Sequence, residues 1–332
     1  MNKILVTGGA GFIGGNFVNY MTNKYPNYSI YNLDSLTYAG DLTKHKSIED
    51  KPNYKFINMD ITDSNSIFSL FETEKFDYVV HFAAESHVDK SIEDPSIFVK
   101  TNVMGTNVLL EASVKNSITK FIHVSTDEVY GELDFDPQTF FTEETPLNPN
   151  SPYSASKASS DMLVKAYHET YGLPINITRC SNNYGPFHFP EKLIPLTISR
   201  VINKEKVPVY GNGENVRDWL HVEDHCSAID LVLHNGVDGE VYNVGGHNEK
   251  TNIEVVRTII RTLNANDNLI EFVQDRLGHD KRYAINPDKL MKLGWEPKYN
   301  FDTGIKQTIN WYISNKDWWK NIKTGEYRNY IL

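Results

Sequence analysis

Ile4-Leu5-Val6-Thr7-Gly8-Gly9-Ala10-Gly11-Phe12-Ile13-Gly14 stands near the start of the chain and decides how the rest is read. Aliphatic and β-branched residues pass directly into glycines at 8, 11 and 14, and a segment with helical spacing follows. The pattern is a strand, a tight turn and a helix N-terminus. Glycines at these places let backbone approach an anion, and the unpaired N–H groups and macrodipole of the helix favour a phosphate there. A glycine triplet alone also serves plain strand-to-helix turns, so its surroundings matter. Asp34 stands 20 residues beyond Gly14, at the end of the next strand-like run. A carboxylate there accepts a hydrogen bond from a ribose 2′-hydroxyl and repels a 2′-phosphate, which predicts NAD over NADP. The competing reading is a strand-end turn residue.

Beyond this unit, β-branched or aromatic runs recur at 4–7, 29–33, 55–59, 78–83, 121–125 and 175–179, with helical periodicity between them. Repetition of βαβ predicts an α/β fold, a doubly wound parallel Rossmann-type sheet with helices on both faces. The dinucleotide-binding domain is placed at 1–180 and a smaller C-terminal α/β substrate-binding part at 181–332, with 240–244 returning to the sheet. After Asn182, Pro186, Pro190, Pro195 and Pro208 with Gly211 and Gly213 punctuate the chain and suggest ligand-carrying loops. The aromatic C-terminus (Trp311, Trp318, Trp319, Tyr327, Tyr330) is expected to pack on the core.

Composition narrows the function classes. A net charge of -10 from 33 basic and 43 acidic residues disfavours a broad nucleic-acid or anionic-membrane surface. Cys180 and Cys226 are too few for a disulfide framework, though one bridge stays open. No apolar leader and no apolar run near the roughly 20 residues of a membrane span is seen. A cytoplasmic location, no membrane partner and no metal are expected.

Ligands of open α/β sheets bind at the C-terminal ends of the strands. Asp60 and Ile61 end the third strand, where they either flank an adenine or, for Asp60, cap the helix containing Ile67, Phe68 and Phe71. Phe82, Ala83 and Ala84 end the fourth. The fifth ends in Ser125-Thr126-Asp127-Glu128-Val129-Tyr130-Gly131, a hydroxyl followed by two carboxylates. Downstream, Tyr153-Ser154-Ala155-Ser156-Lys157 puts a phenol and an ammonium on one helix face if Pro152 sits in the first turn. An ammonium beside a phenol favours phenolate; moving that pKa from about 10 to about 7 takes roughly 4 kcal/mol. Alone, such a pair is commonly a solvated helix face.

The glycine turn together with Tyr153-x-x-x-Lys157 resembles the extended short-chain dehydrogenase/reductases. More closely, Ala84-Glu85-Ser86-His87-Val88-Asp89, Ser125 to Gly131 and Arg217-Asp218-Trp219-Leu220 are similar to the nucleotide-sugar 4,6-dehydratases of that family. Related 4-epimerases share the Tyr/Lys pair and generally lack the Asp-Glu pair. The resemblance implies bound NAD and a nucleotide-sugar substrate, with dTDP-glucose favoured and UDP-glucose the alternative. A 4-epimerase or decarboxylase is less favoured, and a non-enzymatic dinucleotide sensor would be expected to have lost Tyr153, Lys157 or Glu128.

The resemblance also implies roles. Thr126 orients the hexose, Asp127 is the general acid, Glu128 the general base, Tyr153 takes the O4 proton, and Lys157 serves the cofactor ribose and the Tyr153 pKa. Thr101 and Asn183 match cofactor contacts. Ser86, Asn182, Lys192, Leu193, Pro208, Val209, Tyr210, Arg217, Asn252, Asp275, Arg276 and His279 match substrate contacts, Arg217 offering a planar fork to a pyrophosphate. Leu277 stands where the family pattern has Pro. Pairing into a homodimer through helices near 97–114 and 154–171 is a further implication.

Overall fold

The computed structural model describes residues 2–275 and 280–324. Its centre is a seven-stranded, all-parallel sheet of β1 (Lys3–Thr7), β2 (Ser29–Asp34), β3 (Tyr54–Asn58), β4 (Tyr78–His81), β5 (Lys120–Thr126), β6 (Ile175–Cys180) and β10 (Val241–Val244), in the order β3-β2-β1-β4-β5-β6-β10. The remaining strands, β7 (Asn182–Tyr184), β8 (Val207–Tyr210), β9 (Val216–His221), β11 (Glu249–Thr251) and β12 (Ile270–Val273), form two small sheets, β11-β9-β7 and β12-β8.

Alternation along the strands builds two cores. Ile4 and Val6 of β1, Val80 of β4 and Ile122 of β5 face α1 (Phe12–Lys24) and α8 (Val222–Asn235), through Phe17, Val18, Met21, Ile229 and Val232. Leu5, Val79 and Phe121, one residue out of step, face α2 (Ser64–Glu74), α5 (Thr106–Lys115) and α6 (Pro152–Tyr171), through Ile67, Phe71, Leu109, Leu110 and Val164. Period-two alternation between two apolar layers is why these strands read as continuous apolar runs. Helices therefore cover both faces of the sheet.

Three short pieces run across the top of the sheet between β4 and α5: α3 (Val88–Glu93), α4 (Pro95–Phe98) and a π-helical turn at Val99–Gly105. A third apolar cluster joins α7 (Leu193–Ile202), α9 (Asn252–Thr262), α11 (Phe301–Ser314) and α12 (Lys316–Thr324) around Tyr184, Ile198, Trp219, Ile259, Ile305 and Trp319. A last short helix, α10, spans Asp288–Lys292. Trp319 is buried, and Trp311 and Trp318 pack against the same cluster. Tyr327 and Tyr330 lie outside the described residues.

Candidate active site

One cleft of about 610 Å³ opens at the C-terminal ends of the strands, where the sheet order reverses between β1 and β4. Its floor is the turn after β1. Gly8 has φ +73°, and a Cβ on it would lie 2.5 Å from Ala83 N. A Cβ on Gly14 would lie 2.4 Å from Gly8 O. These two glycines let the turn close against β4 and against itself. Gly11 caps α1 with no side-chain hydrogen bond, so the helix start faces the cleft with Phe12 and Ile13 on its wall.

Asp34 ends β2 on the next edge of the cleft, and its bonds are those of a strand-end turn residue. Its Oδ1 accepts from Leu36 N at 2.8 Å, closing a turn, and its Oδ2 accepts from Ala10 N at 2.9 Å, steadying the glycine turn. Burial pushes its carboxyl upward against those amide bonds and the nearby Lys44 charge. Asp60 lines the cleft beside Ile61, while the cap of α2 falls to Asp63, which accepts from Ser66 N at 3.2 Å. Phe82, Ala83, Ala84, Thr101 and Asn183 line the same wall. The glycine turn, the helix start and an acidic strand end on one wall fit a dinucleotide.

The chemistry-bearing groups gather at the end of β5. Thr126 closes that strand, and Asp127 and Glu128 ride the 3-10 turn Asp127–Tyr130 that follows. The Thr126 hydroxyl lies 3.3 Å from Asp127 Oδ1 and accepts from Glu128 N at 3.3 Å. Asp127 Oδ2 is buried without a hydrogen-bond partner. Burial, with the charges of Glu128 and Asp218, holds the Asp127 carboxyl well above the usual carboxylate range despite Arg217.

Across from them stands Tyr153, in the first turn of α6. Pro152 is the first helical residue and Ser151 caps it in a box with Ser154, a device worth about 1 kcal/mol. The phenol has the Thr126 hydroxyl as a hydrogen-bonding partner. Here the sequence expectation needs correction. Burial, followed by the Glu128 charge, pushes the Tyr153 phenol well above its ordinary value. Lys157, instead of pairing with the phenol, donates to Val124 O at 2.9 Å and lies 3.5 Å from His123 Nε2. A buried ammonium must find acceptors, and the strand offers them. Burial brings Lys157 down to about 8 against the opposing Asp161 charge.

Apart from Ser86, which follows β4, the opposite wall comes from the second half of the chain. Ser86, Asn182, Lys192, Leu193, Pro208, Val209, Tyr210, Arg217 and Asn252 all line it. Arg217 is buried, not a surface arginine, and donates to Val216 O at 2.8 Å and Asp280 O at 2.9 Å, with Tyr283 packed on its face at 4.3 Å. Asp275 is exposed beside Gly211 and outside the lining, and Arg276, Leu277 and His279 lie outside the described residues. Trp318, expected on the core, and His87 of the Ala84–Asp89 motif also line the cleft, as do Lys44, His188, Glu191 and Tyr283, which sequence reasoning passed over. No local pattern marks those four, which arrive from loops.

A dinucleotide cradle, a Tyr/Lys pair and a hydroxyl sharing one cleft define an extended short-chain dehydrogenase/reductase. A family model described as GDP-mannose 4,6 dehydratase matches residues 5–308, and the chain belongs to that family. It is 50% identical to a dTDP-glucose 4,6-dehydratase of Escherichia coli, covering 98% of this chain and 97% of that one. A crystal structure of dTDP-glucose 4,6-dehydratase from Bacillus anthracis in complex with NAD superposes with a TM-score of 0.91 at 53% identity, over 97% of this chain and 100% of that one. The dTDP-glucose 4,6-dehydratase of Streptomyces venezuelae with NAD and dTDP bound gives 0.92 at 45% identity, over 96% and 99%.

Proposed function

We propose that the chain is an NAD-dependent hydro-lyase that converts dTDP-glucose to dTDP-4-keto-6-deoxyglucose and water. One observation carries the reading: an oxidising pair, Tyr153 and Lys157, and an elimination pair, Asp127 and Glu128, line the same cleft. Bound NAD supplies the acceptor for the C4 hydrogen with its electron pair and gives it back at C6. Tyr153 takes the O4 proton, and the Lys157 ammonium serves the cofactor ribose. The C4 ketone acidifies C5–H, whose proton Glu128 removes and returns to C5 when C6 receives its hydrogen. Asp127, whose carboxyl burial pushes well above its usual range, gives a proton to O6 as that oxygen leaves as water. Thr126 holds the hexose between the two pairs.

The nucleotide end is proposed to lie along Ser86, Asn182, Lys192, Leu193, Pro208 to Tyr210, Arg217 and Asn252. Residues 1–180 with 241–244 form the cofactor half, and the remainder of 181–332 the substrate half. The π-turn before α5 carries exposed Val99 and Met104, and α6 carries exposed Met162 and Tyr171, which supports pairing of two copies there. No described helix is long and apolar enough to cross a membrane. Cys180 and Cys226 are both buried free thiols, in keeping with a cytoplasmic location.

The test follows label and nucleotide together. Glucose nucleotides deuterated at C4 are offered as dTDP and UDP forms side by side, and the products are read by mass spectrometry and proton NMR. Deuterium on the C6 methyl group, with the dTDP form preferred, is the expected result. Label retained at C4 would mean epimerisation, and label lost to free cofactor an ordinary dehydrogenase.

A further inference from the structure

The glycine turn has one bond of its own, Gly11 N to Gly8 O at 3.1 Å, and is otherwise held from outside. One irregular segment between β2 and β3, Asp41 with the 3-10 turn Leu42–His45, grips three successive carbonyls of it. His45 Nε2 lies 2.8 Å from Gly9 O, and Asp41 N donates to Ala10 O at 3.0 Å. Lys44 Nζ donates to Ala10 O at 2.8 Å and to Gly11 O at 2.7 Å. A trans peptide points its C=O and N–H in opposite directions. Gly11 O accepts from Gly15 N at 3.2 Å as well, so Lys44 and the helix together hold the Phe12 N–H on the other side, at the start of α1.

Lys44 is buried to 4% exposure, yet it lines the cleft. Its stem lies along α1, where a Cβ on Gly15 would come 2.5 Å from Lys44 Cδ. The segment is itself anchored, since Trp318 of α12 donates to Asp41 Oδ2 at 2.7 Å.

We infer that Lys44 is a positioning residue for the dinucleotide: its ammonium orients the Gly11–Phe12 peptide and places one positive charge beneath the helix start, where the pyrophosphate binds. This rests on the NAD reading of the cleft. Burial brings Lys44 down to about 8 against the charges of Asp41 and Asp34. The other titratable neighbours are His45 on its own turn, and Lys46 and Asp317, which share a groove with it. Rising pH removes the ammonium, so affinity for an anionic ligand falls in the weakly alkaline range.

The test is NAD titration of the full chain stripped of cofactor, at pH 7 and pH 9, with thermal melting as the check on folding. The wild type is expected to bind NAD about tenfold more weakly at pH 9. Lys44→Met should bind NAD about tenfold more weakly at pH 7 and show no difference between the two pH values, while dTDP binding stays unchanged. Lys44→Arg, whose charge persists at both pH values, should also lose the pH difference. Should Lys44→Met fail to fold, Lys44→Arg against the wild type at pH 9 decides. Either variant weakening between pH 7 and pH 9 as the wild type does, or Lys44→Met matching wild-type affinity, overturns the inference. A wild type that binds no NAD at either pH would instead sink the cofactor reading.

Discussion

The two walls of the cleft are built by different rules. The cofactor wall is a row of strand ends from one sheet: the turn after β1, Asp34 at the last position of β2, Asp60 two residues past β3 and Ala83 two residues past β4. The opposite wall has no such regularity. Arg217 comes from β9, Pro208 to Tyr210 from β8 and Tyr283 from the loop before α10, and distant residues tie these pieces together. Asp218 accepts from Gly246 N at 2.9 Å and Asn248 N at 2.6 Å. Arg282 forks onto Glu249 at 2.7 and 3.0 Å and donates to Asp136 O and Thr139 O at 2.8 and 2.9 Å. A parallel sheet brings its strand ends together automatically, whereas loops must be cross-linked one contact at a time. Damage to one wall should therefore leave the other working.

Glu128 sits at the seam, and its loss is expected to have the largest effect. Glu128→Gln should lower dehydration by roughly 10²- to 10⁴-fold, the usual contribution of a positioned base, while binding of both NAD and dTDP persists. Exchange of the C5 proton with deuterated water should collapse in parallel. Wild-type turnover in this variant would remove Glu128 from the chemistry.

On the cofactor wall, Gly8→Ala meets both a left-handed backbone and the Ala83 amide at 2.5 Å. NAD affinity should fall on the order of 10- to 100-fold, with dTDP affinity unchanged by calorimetry. Equal loss of both ligands would mean that the walls are mechanically one unit.

The reciprocal test uses Arg282→Met, which leaves Glu249 without its buried partner and frees the loop carbonyls. A loss of about 3 kcal/mol in unfolding free energy is expected, with dTDP binding weakened more than NAD binding. A weakening confined to NAD would invert the comparison.

The smallest effect is expected at Asp34. Asp34→Ala removes a carboxylate that the NADP 2′-phosphate would face, so the preference for NAD over NADP should drop by about tenfold. The glycine turn also loses its Ala10 N–H acceptor, so some NAD affinity goes with it. Equal wild-type affinity for NAD and NADP would show that Asp34 does not discriminate between them.

What could be read before the fold follows from the same division. Hydrophobic period is a local property, so the βα rhythm, the edge strand at 241–244 and Pro152 at the head of α6 were all legible in the sequence. So was Asp34, because a fixed strand-turn-helix-strand unit sets its distance from Gly14. The short strands β7, β9 and β11 were not, since three to six residues among prolines and glycines carry too little period to register. Lys157 shows the limit within a motif. Helical spacing put it on the Tyr153 face, but where its ammonium points depends on which acceptors burial leaves in reach, and those are Val124 and His123 of β5.

Residue order alone thus determined the sheet, the glycine turn, the acidic strand end and the hydroxyl with its two carboxylates, because each is written within a few residues and placed by a periodic backbone. Tertiary structure decided that the Asp127 carboxyl is pushed upward by burial, that Arg217 is buried against Tyr283, and that Lys44 and Trp318 reach the cofactor wall. Desolvation and the satisfaction of buried donors depend on every atom that packs around a group, and those atoms come from parts of the chain that sequence spacing does not relate.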